Sequence, residues 1–350
     1  MILPRKICLW LPSLIYGCTV ALRNRLYDLG IIKSHIFSLP VICVGNITVG
    51  GTGKTPHVIY LAGKLSDTMK VSVLSRGYLR KSSGFRIVRA DDSVDAAGDE
   101  PLLMARRMPW AKVFVDRDRV HGITEIMRIS PDTKAIILDD GFQHRAVKAG
   151  LNILLTSFDR LMTHDRVMPL GRLRESVGGM KRADVIIVTK VPHGTTGMEM
   201  ERIKNEMCLT ANQSIFFTGL AYEKPIPLFG GAAGEIKNTT AVLLVIGIAD
   251  PAPLVRYLSG ITRGVTHISF PDHHRFKAND IEAITSAYDA LGTDDKIIVT
   301  TEKDGVRIKE ITNIADRIRK ALYYLPIGVQ FIENEDEFLK TLYGYAGKDH

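Results

Sequence analysis

Val41-Ile-Cys-Val-Gly45-Asn46-Ile-Thr48-Val49-Gly50-Gly51-Thr52-Gly53-Lys54-Thr55 decides the fold. Its first five residues are a short apolar run, the pattern of a buried strand. After Thr55, Val58, Ile59, Leu61, Ala62 and Leu65 recur at helical spacing. Strand, glycine loop, Lys-Thr and helix together make the context of a P-loop. Glycines let backbone N–H groups turn onto phosphate oxygens, and the helix N-terminus adds a favourable dipole. Thr48 through Thr55 are therefore the candidate nucleotide-binding residues. Lys54 would reach the β/γ-phosphates, and the Thr55 hydroxyl would ligate Mg²⁺. The usual G-x-x-x-x-G-K-[ST] spacing puts a glycine at position 48, where this chain has threonine. Gly-Gly-Thr-Gly-Lys-Thr after an apolar strand still favours a ligand over an empty turn.

Downstream, Ala135-Ile-Ile-Leu138 runs into Asp139-Asp140. A hydrophobic strand ending in acid is the Walker B arrangement, with a carboxylate beside the P-loop to hold the metal. Further strand patterns lie at 71–75, 112–115, 151–155 and 184–189, with helical patterns between several of them. The alternation predicts a P-loop NTPase-like α/β/α sandwich with a largely parallel sheet. Residues 213–228 read as paired strands whose Pro225 and Pro227 favour an edge or linker. A second, smaller α/β unit starts with the apolar run 241–247, followed by a helix over 251–259 and a strand over 296–300. Gly247-Ile-Ala-Asp250 reads as a strand-to-helix turn.

Length and composition set the outer bounds. The 350 residues suggest two domains, and 45% hydrophobic with 24% charged residues excludes a disordered chain. Four scattered cysteines, with no Cys-x-x-Cys pair, exclude a disulfide framework and a structural zinc site. A net charge of +8 calls for an anionic partner without saying which.

The amino terminus adds a second clue. Ile7, Trp10, Leu11, Leu14, Ile15, Cys18 and Leu22 share one helical face, with Lys6, Ser13, Gly17 and Asn24 opposite. Pro12 suits a first turn, so the regular helix is expected to begin there. The stretch is too interrupted to span a bilayer, and it has no clear signal-peptide cleavage site. A helix lying on an anionic leaflet and a helix packed on the domain fit the segment equally well.

Several subclasses of P-loop protein drop out residue by residue. Partition-type ATPases carry a lysine where this chain has Val49, and no Asn-Lys-x-Asp element of the GTPases is present. What remains resembles the tetraacyldisaccharide 4'-kinase family. The resemblance rests on Gly45-Asn46 through Thr55-Pro56, Leu74-Ser-Arg76-Gly-Tyr78, Gly98-Asp99-Glu100-Pro101 and Asp139-Asp-Gly-Phe-Gln143-His144-Arg145. It continues through Leu173-Arg174-Glu175, Phe270-Pro-Asp-His273-His274 and Thr301-Glu-Lys-Asp304-Gly-Val306. The family's Gly-Asn-Gly stretch is replaced near Thr163-His164-Asp165. Arg172 and Ser176 stand where its next motif has prolines.

The resemblance implies transfer of the ATP γ-phosphoryl group to the 4'-hydroxyl of an acylated glucosamine disaccharide 1-phosphate. It assigns Asp99 as base with His273 as its partner, and Lys54 as the neutralising cation. Thr55, Asp139, Asp140 and Glu175 become the Mg²⁺ set. Asn46, Arg76, Arg119, Gln143, His144 and Arg174 become contacts for sugar or phosphate, arginine being suited to bidentate phosphate recognition. Read from local sequence alone, Asp99 is a helix N-cap with Pro101 in the first turn. An Asp99–His273 pairing would put the site between two domains. The expected division is an interfacial helix at 1–30, a P-loop domain at 31–212, a two-stranded linker at 213–230 and an α/β domain at 231–350. The implied location is the cytoplasmic face of a bacterial inner membrane, peripherally bound, with an anionic membrane surface as partner. Neither nucleic acid nor an obligate protein partner is expected. The rival readings are a regulatory P-loop ATPase acting as switch or chaperone, and a nucleic-acid-associated ATPase.

Overall fold

The computed structural model describes residues 3–231, 234–248 and 250–347. Helix α1 (Leu3–Asp28) leads into β1 (Val41–Gly45), α2 (Lys54–Ser66), β2 (Val71–Ser75), β3 (Arg86–Val88), α3 (Val94–Ala97) and α4 (Asp99–Arg107). Then come β4 (Lys112–Val115), α5 (Arg119–Ile129), β5 (Ala135–Asp139), β6 (Leu151–Ser157), β7 (Val185–Thr189), α6 (Gly197–Met207), β8 (Ser214–Tyr222) and β9 (Ile226–Pro227). The remainder forms β10 (Ala241–Ile246), α7 (Ala252–Ile261), β11 (Gly264–Ser269), α8 (Ala278–Asp289), β12 (Lys296–Thr301) and α9 (Glu302–Ile308). The chain closes with α10 (Asp316–Ala321), β13 (Leu322–Leu325), β14 (Ile327–Phe331) and α11 (Glu335–Ala346).

Two sheets result. The larger has the order β14-β8-β7-β6-β1-β5-β2-β4-β3, parallel except at its two edge strands. The smaller has the order β11-β10-β12-β13-β9, with β9 antiparallel at one edge. Strand β1 is buried along its whole length, as a central parallel strand must be. Its residues alternate between faces. Ile42 and Val44 pack with Val58 and Leu61 of α2 and Leu102 of α4. Cys43 packs on the opposite face with Ile203 and Met207 of α6. Helices on both faces complete the expected α/β/α sandwich, with a second α/β unit beside it.

Three expectations need correction. The segment 213–230 is not a paired linker: β8 joins β7 and β14 in the large sheet, while β9 joins β13 in the small one. Residues 231–350 are not one continuous unit. The chain returns through β14 to cover the open edge of β8, and Phe338 and Leu342 of α11 fill the core beside Phe216. An uncovered edge strand and an unfilled apolar face supply the reason. Finally, α1 does not begin at Pro12 but runs through it. Pro12 is exposed, so solvent can satisfy the carbonyl its ring leaves free.

Helix α1 is turned inside out relative to a core helix. Trp10, Leu11, Leu14, Ile15 and Leu22 are 47–63% exposed. The polar face docks instead: Ser13 Oγ donates to the Val167 carbonyl at 2.6 Å, and the Tyr16 hydroxyl donates to the Arg174 carbonyl at 3.0 Å. The side chains of Lys6 and Ile7 lie outside the described residues, as does Ala249 of the Gly247–Asp250 turn. Among the described residues no helix is long and apolar enough to cross a membrane.

Candidate active site

The P-loop hangs between β1 and α2 and is held from three sides. Gly45 lets the Asp-Gly-Phe-Gln turn approach closely, since a Cβ there would stand 2.6 Å from Phe142 Cβ. Gly53 adopts φ 81°, the left-handed turn that aims the start of α2 at the loop, and α2 has no side-chain cap. Thr48 bridges Leu173 and the Val49 N–H donates to the Arg172 carbonyl at 2.8 Å, so the 166–175 segment backs the loop. Asn46 Nδ2 donates to Thr52 Oγ1 at 2.8 Å, and Thr189 Oγ1 donates to the Thr52 carbonyl at 2.9 Å. Gly50, Gly51 and Val49 stay accessible at the tip, as a phosphate site requires.

His57, which sequence reasoning passed over, locks this loop. Its Nδ1 donates to the Gly53 carbonyl at 2.8 Å, and its Nε2 accepts from Thr218 Oγ1 of β8 at 3.0 Å. A carbonyl only accepts, so Nδ1 carries a proton. Burial pushes its pKa down to about 4.

The Walker B acids stand next to the loop. Val44 of β1 is in register with Asp139 of β5. Asp140 lies 3.5 Å from Lys54 Nζ and 3.0 Å from the Arg174 guanidinium. Asp139 is fully buried; its Oδ2 accepts from Ser75 Oγ at 2.7 Å, while Oδ1 has no hydrogen-bond partner. Burial, followed by the charges of Glu100 and Asp140, raises its pKa. An orphaned, charge-crowded carboxylate oxygen suits a hard divalent cation, so Asp139 fits the Mg²⁺ role. Glu175 does not fit it in this conformation. Its Oε1 accepts from Gln143 Nε2 at 3.0 Å and Arg182 at 2.9 Å. Its Oε2 accepts from Asn24 Nδ2 at 2.9 Å and lies 2.8 Å from the same Arg182 nitrogen, so three donor atoms already engage the carboxylate. Among the described residues no three His, Cys, Asp or Glu side chains gather as a metal cluster. Thr55 at the start of α2 is half-buried.

The expected substrate contacts divide. Arg76 is exposed. His144 is half-buried, and burial, with the nearby charges of Arg119 and Arg76, pushes its pKa down to about 4. Arg119, by contrast, is 1% exposed and donates to the carbonyls of Asp116 and Asp139. In this conformation its guanidinium braces the turn after β5. Gln143 Nε2 also donates to the Asn46 carbonyl at 2.8 Å. Asn46 Oδ1 is buried and unpartnered.

Asp99 and His273, 174 positions apart, meet at 2.9 Å between Oδ2 and Nδ1. Asp99 is not the N-cap: Gly98, at φ 90°, takes that position and Asp99 opens α4. Two further groups from α9 converge on the same carboxylate. Arg307 ion-pairs with Asp99 and lies 2.9 Å from Asp304, and Lys303 Nζ lies 3.2 Å from His273 Nε2. Burial opposes ionisation of Asp99, but His273, Lys303 and Arg307 outweigh it and hold the carboxyl well below its usual range. His273 itself sits at φ 60°, a conformation a non-glycine residue keeps only when its surroundings impose it. His274 turns away to Asp280 at 2.9 Å. The motif 301–306 signalled this region in the sequence, but Arg307 lay one residue beyond it.

The chain as a whole is similar to known proteins. The sequence pattern described as "Tetraacyldisaccharide-1-P 4'-kinase" matches residues 5–345. The tetraacyldisaccharide 4'-kinase of Phocaeicola vulgatus is 46% identical over 344 residues, covering 96% of this chain and 94% of that protein. That of Bacteroides thetaiotaomicron is 41% identical, covering 97% and 94%. A crystal structure of LpxK from Aquifex aeolicus in complex with ATP superposes with a TM-score of 0.73 at 31% identity, covering 96% of this chain and 98% of that one. The P-loop, the Asp139–Asp140 pair and the Asp99–His273 contact thus lie in a chain that belongs to the tetraacyldisaccharide-1-P 4'-kinase family.

Proposed function

We propose that this protein uses Mg-ATP to phosphorylate the 4'-hydroxyl of a tetraacylated glucosamine disaccharide 1-phosphate, working at an anionic membrane surface. Family membership along nearly the whole chain carries the reaction and disfavours a regulatory ATPase. The outward-facing apolar side of α1 supports the surface, because burying it in an interface removes Trp10, Leu11, Leu14, Ile15 and Leu22 from water. Arg23 and Arg25 near its end are exposed and suited to an anionic leaflet. The cytoplasmic leaflet, where ATP is available, is the location this reading assigns.

Phosphoryl transfer asks the protein for charge neutralisation and in-line placement. Lys54 and the amides of 50–54 would bind the phosphates. Mg²⁺, when bound through Asp139 and Thr55, neutralises charge on the phosphoryl oxygens. Arg174, now on Asp140, is the cation placed to turn toward substrate phosphate. Asp99 Oδ1 accepts only the Glu100 N–H, at 2.9 Å, so it retains a lone pair for the acceptor hydroxyl. His273, oriented by Asp99 and Lys303, would position that pair. Asp99 is a weak base while Arg307 holds it, so proton removal follows or accompanies transfer to the phosphoryl group rather than preceding it.

The test is direct. Purified protein is incubated with Mg-ATP and the acylated disaccharide 1-phosphate, and the lipid product is resolved by mass. A bisphosphorylated lipid is expected; ATP turnover indifferent to the lipid would refute the reaction. Flotation with vesicles containing anionic lipid tests the location, and deletion of residues 1–25 should abolish it. Unchanged flotation would place the anchor elsewhere.

A further inference from the structure

Helix α1 does more than present an apolar face. Its inward side is hydrogen-bonded to the strip of chain that backs the P-loop. Ser13 reaches the Val167 carbonyl and Tyr16 the Arg174 carbonyl. The same strip touches the loop from its other side, through the Thr48–Leu173 bridge and the Arg174 N–H on the Ile47 carbonyl at 2.7 Å. Residues 166–175 are therefore clamped between α1 and the nucleotide loop.

One side chain of α1 passes through this strip to its carboxylate. Asn24 Nδ2 donates to Glu175 Oε2 at 2.9 Å, and Glu175 is 1% exposed. The Asn24 carbonyl accepts from Arg145 at 2.6 Å, fixing the helix at that point. Glu175 passes the constraint inward: Gln143, bound to its Oε1, holds the Asn46 carbonyl at the root of the P-loop. Gln143 Oε1 in turn accepts from Arg174 at 3.3 Å, and Arg174 grips Asp140. A neutral amide is the suitable group here. It donates to a buried carboxylate whose charge Arg182 already balances, and adds no second charge.

We propose that Asn24 is a positioning residue of the nucleotide site. Through Glu175 it makes α1 a structural part of the end of the P-loop that takes Mg²⁺, so the helix sets metal affinity. The inference rests on reading Asp139 and Asp140 as the metal end of the loop. It does not rest on the membrane reading.

Full-length protein with a non-hydrolysable ATP analogue is titrated with Mn²⁺, and free Mn²⁺ is read by electron paramagnetic resonance. Asn24→Ala should weaken Mn²⁺ binding by up to about 10-fold, the lower end of the cost of losing a direct partner of a metal ligand, because Asn24 acts from one step further out. Asn24→Asp, nearly the same shape, should weaken it further by setting a carboxylate against Glu175. The Mg²⁺ concentration for half-maximal turnover should rise in step, while KM for the lipid and vesicle flotation stay unchanged. Unchanged or tighter Mn²⁺ binding in both variants would overturn the proposal, as would a change confined to lipid KM. Thermal unfolding without metal guards against a folding artefact; if Asn24→Ala fails to fold, Asn24→Asp carries the test. Leu22→Ser, on the outer face, separates the two readings: it should reduce flotation and leave Mn²⁺ binding alone. Unchanged flotation there would count against the membrane reading only.

Discussion

The P-loop and the charge cluster around Asp99 both serve anionic chemistry, yet they are built in opposite ways. The loop is mostly local: residues 46–57 hold one another, with outside support from Thr189, Thr218, Gln143 and the backbone of 172–174. Its cradle is mostly backbone, made by left-handed turns at Gly50 and Gly53. The cluster is non-local. Asp99 comes from α4 of the sandwich, His273 from the turn after β11, and Lys303 and Arg307 from α9 of the smaller unit. Its groups are side chains, nearly all charged and poorly hydrated. A local backbone site survives small shifts between the two sheets, whereas a cluster of paired side chains exists only while the sheets stay together. That difference makes Asp99 and its partners the natural place for domain movement to act on the chemistry.

Removing the one cation of the loop should have the largest effect. Lys54→Ala takes away the charge beside the transferring phosphoryl group and should lower kcat about 10³-fold. Stability should change little, because its pair with Asp140 is partly hydrated. Turnover within tenfold of the parent would mean the loop works through its amides alone.

The same deletion in the cluster should act on folding as well as chemistry. Arg307→Leu leaves Asp99 and Asp304 buried without their shared cation, at a cost of about 3–5 kcal/mol. Urea unfolding would read this directly. Adding Asp99→Asn should recover part of the loss, since the two groups answer each other. A loss below about 1 kcal/mol in the single variant would show that the pair does not tie the units.

A third contrast lies in acid. The folded-state pKa of His57, pushed down to about 4 by burial, is below its ordinary 6.5. Its neutral form therefore stabilises the fold fully above pH 6.5, and that contribution is lost as pH falls from 6.5 toward 4. The loss amounts to about 3 kcal/mol. His57→Asn should flatten this part of the stability profile, measured by urea unfolding at pH 7 and pH 4.5. An equally steep decline in the variant would move the acid sensitivity elsewhere.

The contrast also explains what could be read in advance. The central strands and the P-loop were legible because backbone geometry imposes its own residue pattern: apolar runs for buried strands, glycine where φ is positive. Asp99 and His273 were reached through family motifs and not through spacing, because a separation of 174 positions carries no local signal. Lys303 and Arg307 were missed for the same reason; nothing in Glu302-Lys303-Asp304 tells a solvated helix from one buried against a carboxylate. Glu175 was reached through the family motif, but a sequence does not show the three donors, from Gln143, Arg182 and Asn24, that hold it in this conformation. The return of β14 and α11 to the large sheet escaped notice because an edge strand reads the same whichever sheet it joins. In α1 the period was plain, but only the docked polar face shows which side meets water.

The smallest expected effect tests the comparison at two helix ends. Helix α2 starts at Gly53 with no side-chain cap, so its first N–H groups remain free for phosphate. Helix α9 is closed: Thr301 Oγ1 accepts from the Asp304 N–H at 3.1 Å and donates to Asp304 Oδ2 at 2.8 Å. Asp304 also holds the Gly247 N–H at 2.9 Å and Arg307, so this cap supports the cluster. Thr301→Ala should cost about 1 kcal/mol, seen as a lower urea midpoint. It should reduce turnover modestly through Arg307 and leave affinity for an ATP analogue untouched, because α2 is not involved. A weaker analogue affinity would mean that the cluster and the loop are one coupled site and that the distinction between them fails.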